Sequence, residues 1–195
     1  MARQSIQAGA SPTVVIRADG EVQVQGWESD RLEATTESRL GLQVRQRRGT
    51  VEVRIGGDGK VWLPFGSAVT IYASKSLTIR HIHGSATLYA GGSASVHNVA
   101  TLAHVSAGGM VDVSCTHVEG SDVQITAGGD LRCAITTLAN TRVLVSDMGG
   151  SWEGLIGDGR VRLRLKAGGD VTLVTDAVVI AQPPHFILGR IERPA

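Results

Sequence analysis

One tripeptide recurs through the latter part of this 195-residue chain, at Ala90-Gly91-Gly92, Ala107-Gly108-Gly109, Ala127-Gly128-Gly129 and Ala167-Gly168-Gly169. A degenerate Asp147-Met148-Gly149-Gly150 fills the remaining gap, so the motif starts at positions 90, 107, 127, 147 and 167, with one short interval followed by equal ones. A fixed period of roughly 20 residues marks a repeat architecture, in which one short unit cannot bury its apolar side alone and does so by stacking on its neighbours.

Each unit reads as strands joined by tight corners. In Val161-Arg162-Leu163-Arg164-Leu165-Lys166 the alternation has period two, which turns Val161, Leu163 and Leu165 toward a core and the basic residues toward solvent. The same pattern recurs at Val111, Val113, Val118, Val123 and Ile125, and again at Leu131, Cys133, Ile135, Leu138, Val143 and Val145. Gly91, Gly92, Gly108, Gly109, Gly128, Gly129, Gly168 and Gly169 are expected to be structural corners, used for positive φ or for close approach to the backbone of the next coil. The shorter units are expected to lose their missing residues from a loop on one side. A third short strand per coil, around Ile82, Val99, Val118 and Leu138, is one option, and a two-sided cross-section is the other.

Toward the N-terminus, Val14 to Ile16 and Val22 to Val24 read as two short strands around Asp19-Gly20. Leu40-Gly41-Leu42-Gln43-Val44 and Thr50-Val51-Glu52-Val53-Arg54-Ile55 suggest another pair, separated by a polar Arg45 to Gly49 turn. Residues 11–65 are therefore read as initial coils or an N-terminal cap, 66–181 as regular β-solenoid coils, and 182–195 as a C-terminal cap or interaction segment. Pro183-Pro184 interrupts pairing there, and Phe186 and Leu188 make the segment apolar enough to cover the last coil or bind another copy.

Charge excludes little by itself. The chain has 19 basic and 18 acidic residues, a formal net charge of +1, so no global drive toward nucleic acid or an anionic membrane. Cys115 and Cys133 read as buried thiols rather than a disulfide framework. Neither a secretory signal nor a long apolar run is evident, which makes the expectation cytoplasmic by default, and envelope-associated or extracellular if a signal segment was removed.

Several motifs together resemble a known family: the Ile16 to Gln25 strand pair followed by Gly26-Trp27, then Arg54-Ile55-Gly56-Gly57-Asp58-Gly59, then Leu63-Pro64-Phe65-Gly66-Ser67-Ala68-Val69. Over roughly residues 13–175 the chain resembles bacterial putative-adhesin β-solenoid proteins of the toastrack type. That resemblance implies an all-β, single-stranded right-handed parallel β-helix with terminal capping segments, in a family often attached to membrane or cell-surface systems, and it brings no catalytic residues. A weaker resemblance connects the coils to bactofilins, which polymerise through stacked ends without a nucleotide.

No catalytic, cofactor-binding or metal-ligating residue is assigned. His81, His83, His97, His104, His117 and His185 are too irregularly spaced to converge on a metal. Asp58, Asp130 and Asp170 follow Gly-Gly directly and read as turn hydrogen-bonding groups rather than a glycosidase carboxyl pair. Gly56-Gly57-Asp58-Gly59-Lys60 lacks the complete phosphate-loop pattern. Arg45, Arg47 and Arg48 form one basic turn, and Arg142, Arg162, Arg164 and Lys166 a second patch. Trp62 and Trp152 read as core or cap packing, with a partner anchor as the alternative for Trp152 beside the basic stripe.

The functional expectation is a noncatalytic structural or scaffold β-solenoid that mediates self-association, needing no cofactor. The alternative is a surface-binding module for carbohydrate, an envelope component or protein. Trp152, Arg162, Arg164, Phe186 and Leu188 are the interaction residues. The expected partner is a protein or another copy of the chain, with carbohydrate second; no specific nucleic-acid partner and no transmembrane segment are expected.

Overall fold

The computed structural model describes residues 1–118, 122–138, 140–148, 150–156, 158–175 and 180–181, without the side chains of 115–118, 136–138, 152 and 180–181. Its strands are β1 (Ala2–Gln7), β2 (Thr13–Ala18), β3 (Val22–Trp27), β4 (Arg31–Thr36), β5 (Leu42–Arg47), β6 (Thr50–Ile55), β7 (Gly59–Pro64), β8 (Ala68–Ala73) and β9 (Leu77–Ala90). They continue as β10 (Ala94–Ala107), β11 (Val111–Val118), β12 (Val123–Ala127), β13 (Leu131–Leu138), β14 (Thr141–Asp147), β15 (Gly150–Leu155), β16 (Val161–Ala167), β17 (Val171–Val174) and β18 (Ile180–Ala181). All belong to one mixed sheet, and there is no helix among the described residues.

The sheet runs down two faces of a shared core. Face A has the spatial order β5, β6, β2, β8, the second halves of β9 and β10, then β12, β16, β14, β15 and β18. Face B runs β1, β4, β7, β3, the first halves of β9 and β10, then β11, β13 and β17. Pairing is parallel through the middle, as repeats demand, and antiparallel strands are added at both ends. The parallel β-helix that the resemblance implies is corrected to a mixed sheet that is parallel only through its middle.

The layers do not stack in chain order. On face A Val123 pairs with Leu163, and on face B Leu131 pairs with Val171, each partner two repeats further along the chain. The repeat skipped by this jump contributes β14 one position further out, where Val143 lies opposite Leu163. Asp147-Met148-Gly149-Gly150 is therefore not a degenerate corner: Asp147 faces Gly150 across an antiparallel hairpin, and Gly150 has φ of 140°. Tight hairpins and coil corners both select glycine, so the same letters at the same spacing served a different turn. A matching jump occurs at the other end. There β2 and β3 lie against β8 and β9, while β6 and β7, later in the chain, take the layer outside them.

The corners between the two faces form a continuous ladder. The Gly91 N–H donates to Ala73 O (2.9 Å), Gly108 to Ala90 (3.0 Å), Gly128 to Ala107 (2.9 Å) and Gly168 to Ala127 (3.0 Å). These glycines are selected by close approach: a Cβ on Gly128 would press into the backbone carbonyl of Gly108, and one on Gly168 into that of Gly128. Positive φ is not the reason at either position. Aspartates at two corners extend the ladder: Asp58 Oδ1 accepts from the Glu21 N–H (2.8 Å) and Asp130 Oδ1 from the Asp170 N–H (3.0 Å).

On the opposite side, the shorter layers run straight through as the long strands β9 and β10, with Ile82 and Val99 paired and fully buried. The longer layers divide there into β11 and β12, and into β13 and β14. The difference in length is thus accommodated on one side, through which pairing continues from Val118 to Leu138. Near the N-terminus, β5 and β6 form the expected hairpin, but β5 extends through Arg47 and the turn narrows to Arg48 and Gly49, with φ of 49° and 82°. β2 and β3 are not paired with each other; they meet across a corner.

The core is one contiguous cluster from Val14 to Leu173, and Leu131, Cys133, Ile135, Val143, Leu163 and Leu165 are all buried within it. Cys133 lies opposite Val113, and Cys115 opposite Ile135, so the two cysteines are not register partners. The jump gives a direct test. Thr126 and Lys166 are register partners, and adjacent strands about 4.8 Å apart fall within disulfide reach. Thr126→Cys/Lys166→Cys is expected to form an internal crosslink on mild oxidation, resolved by mass spectrometry, whereas Thr126→Cys/Ser146→Cys, neighbours under consecutive stacking, is expected to remain largely reduced.

Candidate functional site

Strand parity decides what face A shows to solvent. Inward positions carry Val14, Ile16, Val51, Val53, Val69, Ile71, Leu163 and Leu165, all buried. The intervening residues point out, and they are polar, aromatic or cationic. Near one end stand Arg45 and Arg47 on β5, Arg54 on β6 and Arg17 on β2; near the other stand Arg162, Arg164 and Lys166 on β16 and Arg142 on β14, all exposed. The two basic patches of the sequence thus share one face, although nothing in their spacing places them there.

Within the second patch, Arg142 lies opposite Arg162, and Arg164 lies between Gln124 and Leu144. The like charges are partly offset: Glu153 pairs with Arg142 at 3.4 Å, and Asp122 Oδ1 accepts the Arg162 backbone N–H at 3.0 Å. In the first patch Arg45 lies opposite Glu52. Among the described residues, Glu52 and Glu153 are the acids at outward positions on the strands of face A. The acids of the corner ladder lie along the edge of the stack, where Asp58 and Asp130 hold backbone amides.

Between the patches runs an aromatic ladder that the sequence reading missed. The Arg17 guanidinium sits 4.5 Å from the Tyr72 ring centroid, Tyr72 stacks on Tyr89 at 5.0 Å with 5° between planes, and Tyr89 meets His104 at 5.2 Å and 42°. Tyr72 and Tyr89 are register partners, one short repeat apart in sequence. The short repeat length was the signal for that pair. Arg17 joins from the far-upstream strand β2 through the N-terminal jump, for which no local signal exists. A shallow groove of about 440 Å³ follows this ladder, lined by Arg17, Asp19, Tyr72, Ser74, Tyr89 and Ser106.

A larger recess of about 700 Å³ lies at the N-terminal end of the corner ladder, where Asp19, Glu21, Glu37 and Asp58 face Lys60 and Lys75. Its charges are mixed, and one Asp58 oxygen is already committed to Glu21. Among the described residues no group of three or more His, Cys, Asp or Glu side chains is placed to hold a metal ion. Two of the described histidines have local partners instead: His83 stacks on Phe65 at 4.8 Å, and His97 Nε2 shares a hydrogen bond with Ser95 Oγ at 2.8 Å.

Trp152, Phe186 and Leu188 complete the set of expected interaction residues. Trp152 lies in β15 opposite Val145, with its side chain outside the described residues, as are Phe186 and Leu188 altogether. Trp62 belongs to the outside of face B, half-buried, between the inward Val61 and Leu63; strand alternation, rather than bulk, decides its side. No helix among the described residues is long and apolar enough to cross a membrane.

No protein-family model matches the sequence, and no curated protein matches it significantly. A crystal structure of a "putative cell adhesion protein" from Clostridium sporogenes is similar at 9% identity, over 90% of this chain and 99% of that one, with a TM-score of 0.47. A likeness that loose bears no weight for function.

Proposed function

We propose that this chain is a noncatalytic β-solenoid that serves as a surface-binding module, with face A as its docking surface. The observation that carries the reading is the gathering of both basic patches and the Tyr72–Tyr89 ladder onto one broad, exposed face. Such a face suits an extended partner laid across many strands, and envelope material is the class we favour. Co-sedimentation with an isolated bacterial envelope fraction tests it. The expected result is binding that Arg17→Glu/Arg164→Glu lowers at least tenfold, with Arg80→Glu/Arg132→Glu on face B within twofold of the parent; equal loss from both variants would remove face A from the account.

Self-association, the other reading, is favoured by one observation at the opposite end from β1. Strand β17 pairs with β13 along one edge, and no strand among the described residues pairs along its other edge. Free edges recruit further strands. A head-to-tail filament also needs a receptive far end, and there β1 and β5 are largely exposed antiparallel strands carrying Arg3, Arg45 and Arg47. Charged, antiparallel ends resist strand addition, which favours a closed dimer over a filament as the form self-association would take. Sedimentation velocity over a concentration series distinguishes a monomer, a dimer and an open polymer.

A further inference from the structure

The chemistry of face A narrows its partner. Association with another protein generally uses apolar or aromatic anchors that become desolvated. The exposed large apolar side chains among the described residues are Met1, Leu40, Tyr72, Tyr89, Met110 and Met148. On face A these are the two tyrosines alone, and their ring faces are already occupied by Arg17, by each other and by His104. Covered rings offer no platform for a nucleic-acid base, whose sequence-tolerant binding relies on stacking. The same covering closes those two rings to a neutral sugar, and among the described residues the outward Val15 and Leu144 are half-buried and offer too little apolar surface to enter a lipid interior. What remains available is cationic charge at two places, with hydroxyl, amide and imidazole groups between them and one carboxylate, Asp19, lining the groove beside Arg17.

We propose that face A binds a linear acidic polysaccharide, a ligand class that rests on the surface-binding reading above. The cation clusters grip its carboxylate or sulfate groups at two points, and Tyr72, Tyr89, His104 and Gln124 face its hydroxyls between them. Arg17 and Arg164 stand on strands five positions apart in the sheet order, or about 24 Å at the usual strand spacing. A polymer reaching both clusters gains from effective concentration, because capture at one raises occupancy at the other. A net charge of +1 conceals this arrangement: eight of the 19 basic residues lie outward on face A against Glu52 and Glu153 on its strands and Asp19 in the groove, while Glu21, Asp58, Asp130 and Asp170 lie along the corner edge.

The test measures binding of the full chain to immobilised heparin and to polygalacturonate by biolayer interferometry at low and at moderate NaCl. Neutral dextran, a single-stranded oligonucleotide and anionic lipid vesicles are run beside them, and circular dichroism verifies that each variant is folded. The expected result is binding to both acidic glycans that weakens at least tenfold with added salt, and at least tenfold with Arg17→Glu/Arg164→Glu, while Arg80→Glu/Arg132→Glu stays within twofold. Oligosaccharides too short to span both clusters are expected to bind at least tenfold more weakly than longer ones. Oligonucleotide or vesicle binding as tight as glycan binding overturns the proposal, as does equal loss from the face B variant. Envelope binding that depends on face A without binding to either acidic glycan overturns the ligand class and leaves the docking surface standing.

Discussion

Leu131→Asp is expected to leave no folded protein at room temperature, with far-UV circular dichroism losing its β-sheet signal and the soluble fraction falling sharply. Leu131 is 1% exposed, opposite Val111 on one side and Val171 on the other. A carboxylate placed there loses its water and finds apolar neighbours, a penalty of several kcal/mol beyond the lost packing of the leucine. The total stability of a domain is only about 5–15 kcal/mol. The adjacent Arg132 points outward and is exposed, so Arg132→Asp, with the same added carboxylate one residue away, is expected to shift stability by no more than about 0.5 kcal/mol. The contrast isolates strand parity from the chemistry of the substitution.

The second large effect concerns a single methyl group. Gly128→Ala is expected to destabilise by roughly 2–3 kcal/mol, because the added Cβ meets the Gly108 carbonyl and neither backbone can retreat without breaking the corner ladder. In a chain of this length that lowers the melting temperature by roughly 5–10 °C. Gly129→Ala is the paired control: there a Cβ finds its nearest heavy atom at 3.5 Å, an ordinary contact. It is expected to be neutral, or to stabilise by up to about 1 kcal/mol through the reduced entropy of the unfolded chain. Thermal melts of the two variants, at adjacent positions, distinguish a corner defined by close packing from one defined by glycine-rich composition.

Local rules made the inward residues legible. Period-two alternation found Val113, Ile125, Cys133 and Leu165, because each side chain's direction follows from its own strand. Repetition likewise located the corners at 107–110, 127–130 and 167–170, since the first glycine of each answers to the backbone immediately beneath it. Which coil lies beneath is a long-range property, decided by how strands pair across the whole stack. Nothing near Val123 says that its neighbour is Leu163 rather than Val143; both are apolar, in phase and preceded by similar residues. The surface on face A was hidden for the same cause. Its two patches were visible singly, but Arg17 reaches Tyr72 only because the N-terminal layers are stacked out of order.

The two jumps also govern how the stack comes apart. In a linear array each unit touches only its sequence neighbours, and loss of structure proceeds inward from the chain ends. Here β2 and β3 lie beneath β6 and β7, and β16 is held between β12 and β14. Spatial periphery and sequence periphery no longer coincide. Amide exchange should accordingly be fastest in β1, β5 and β17, while β2, close to the start of the chain, exchanges as slowly as β8 in the middle. Tucking early and late segments under intervening ones ties distant parts of the chain into one cooperative unit, as a knot of overlapping straps resists unravelling better than a simple coil.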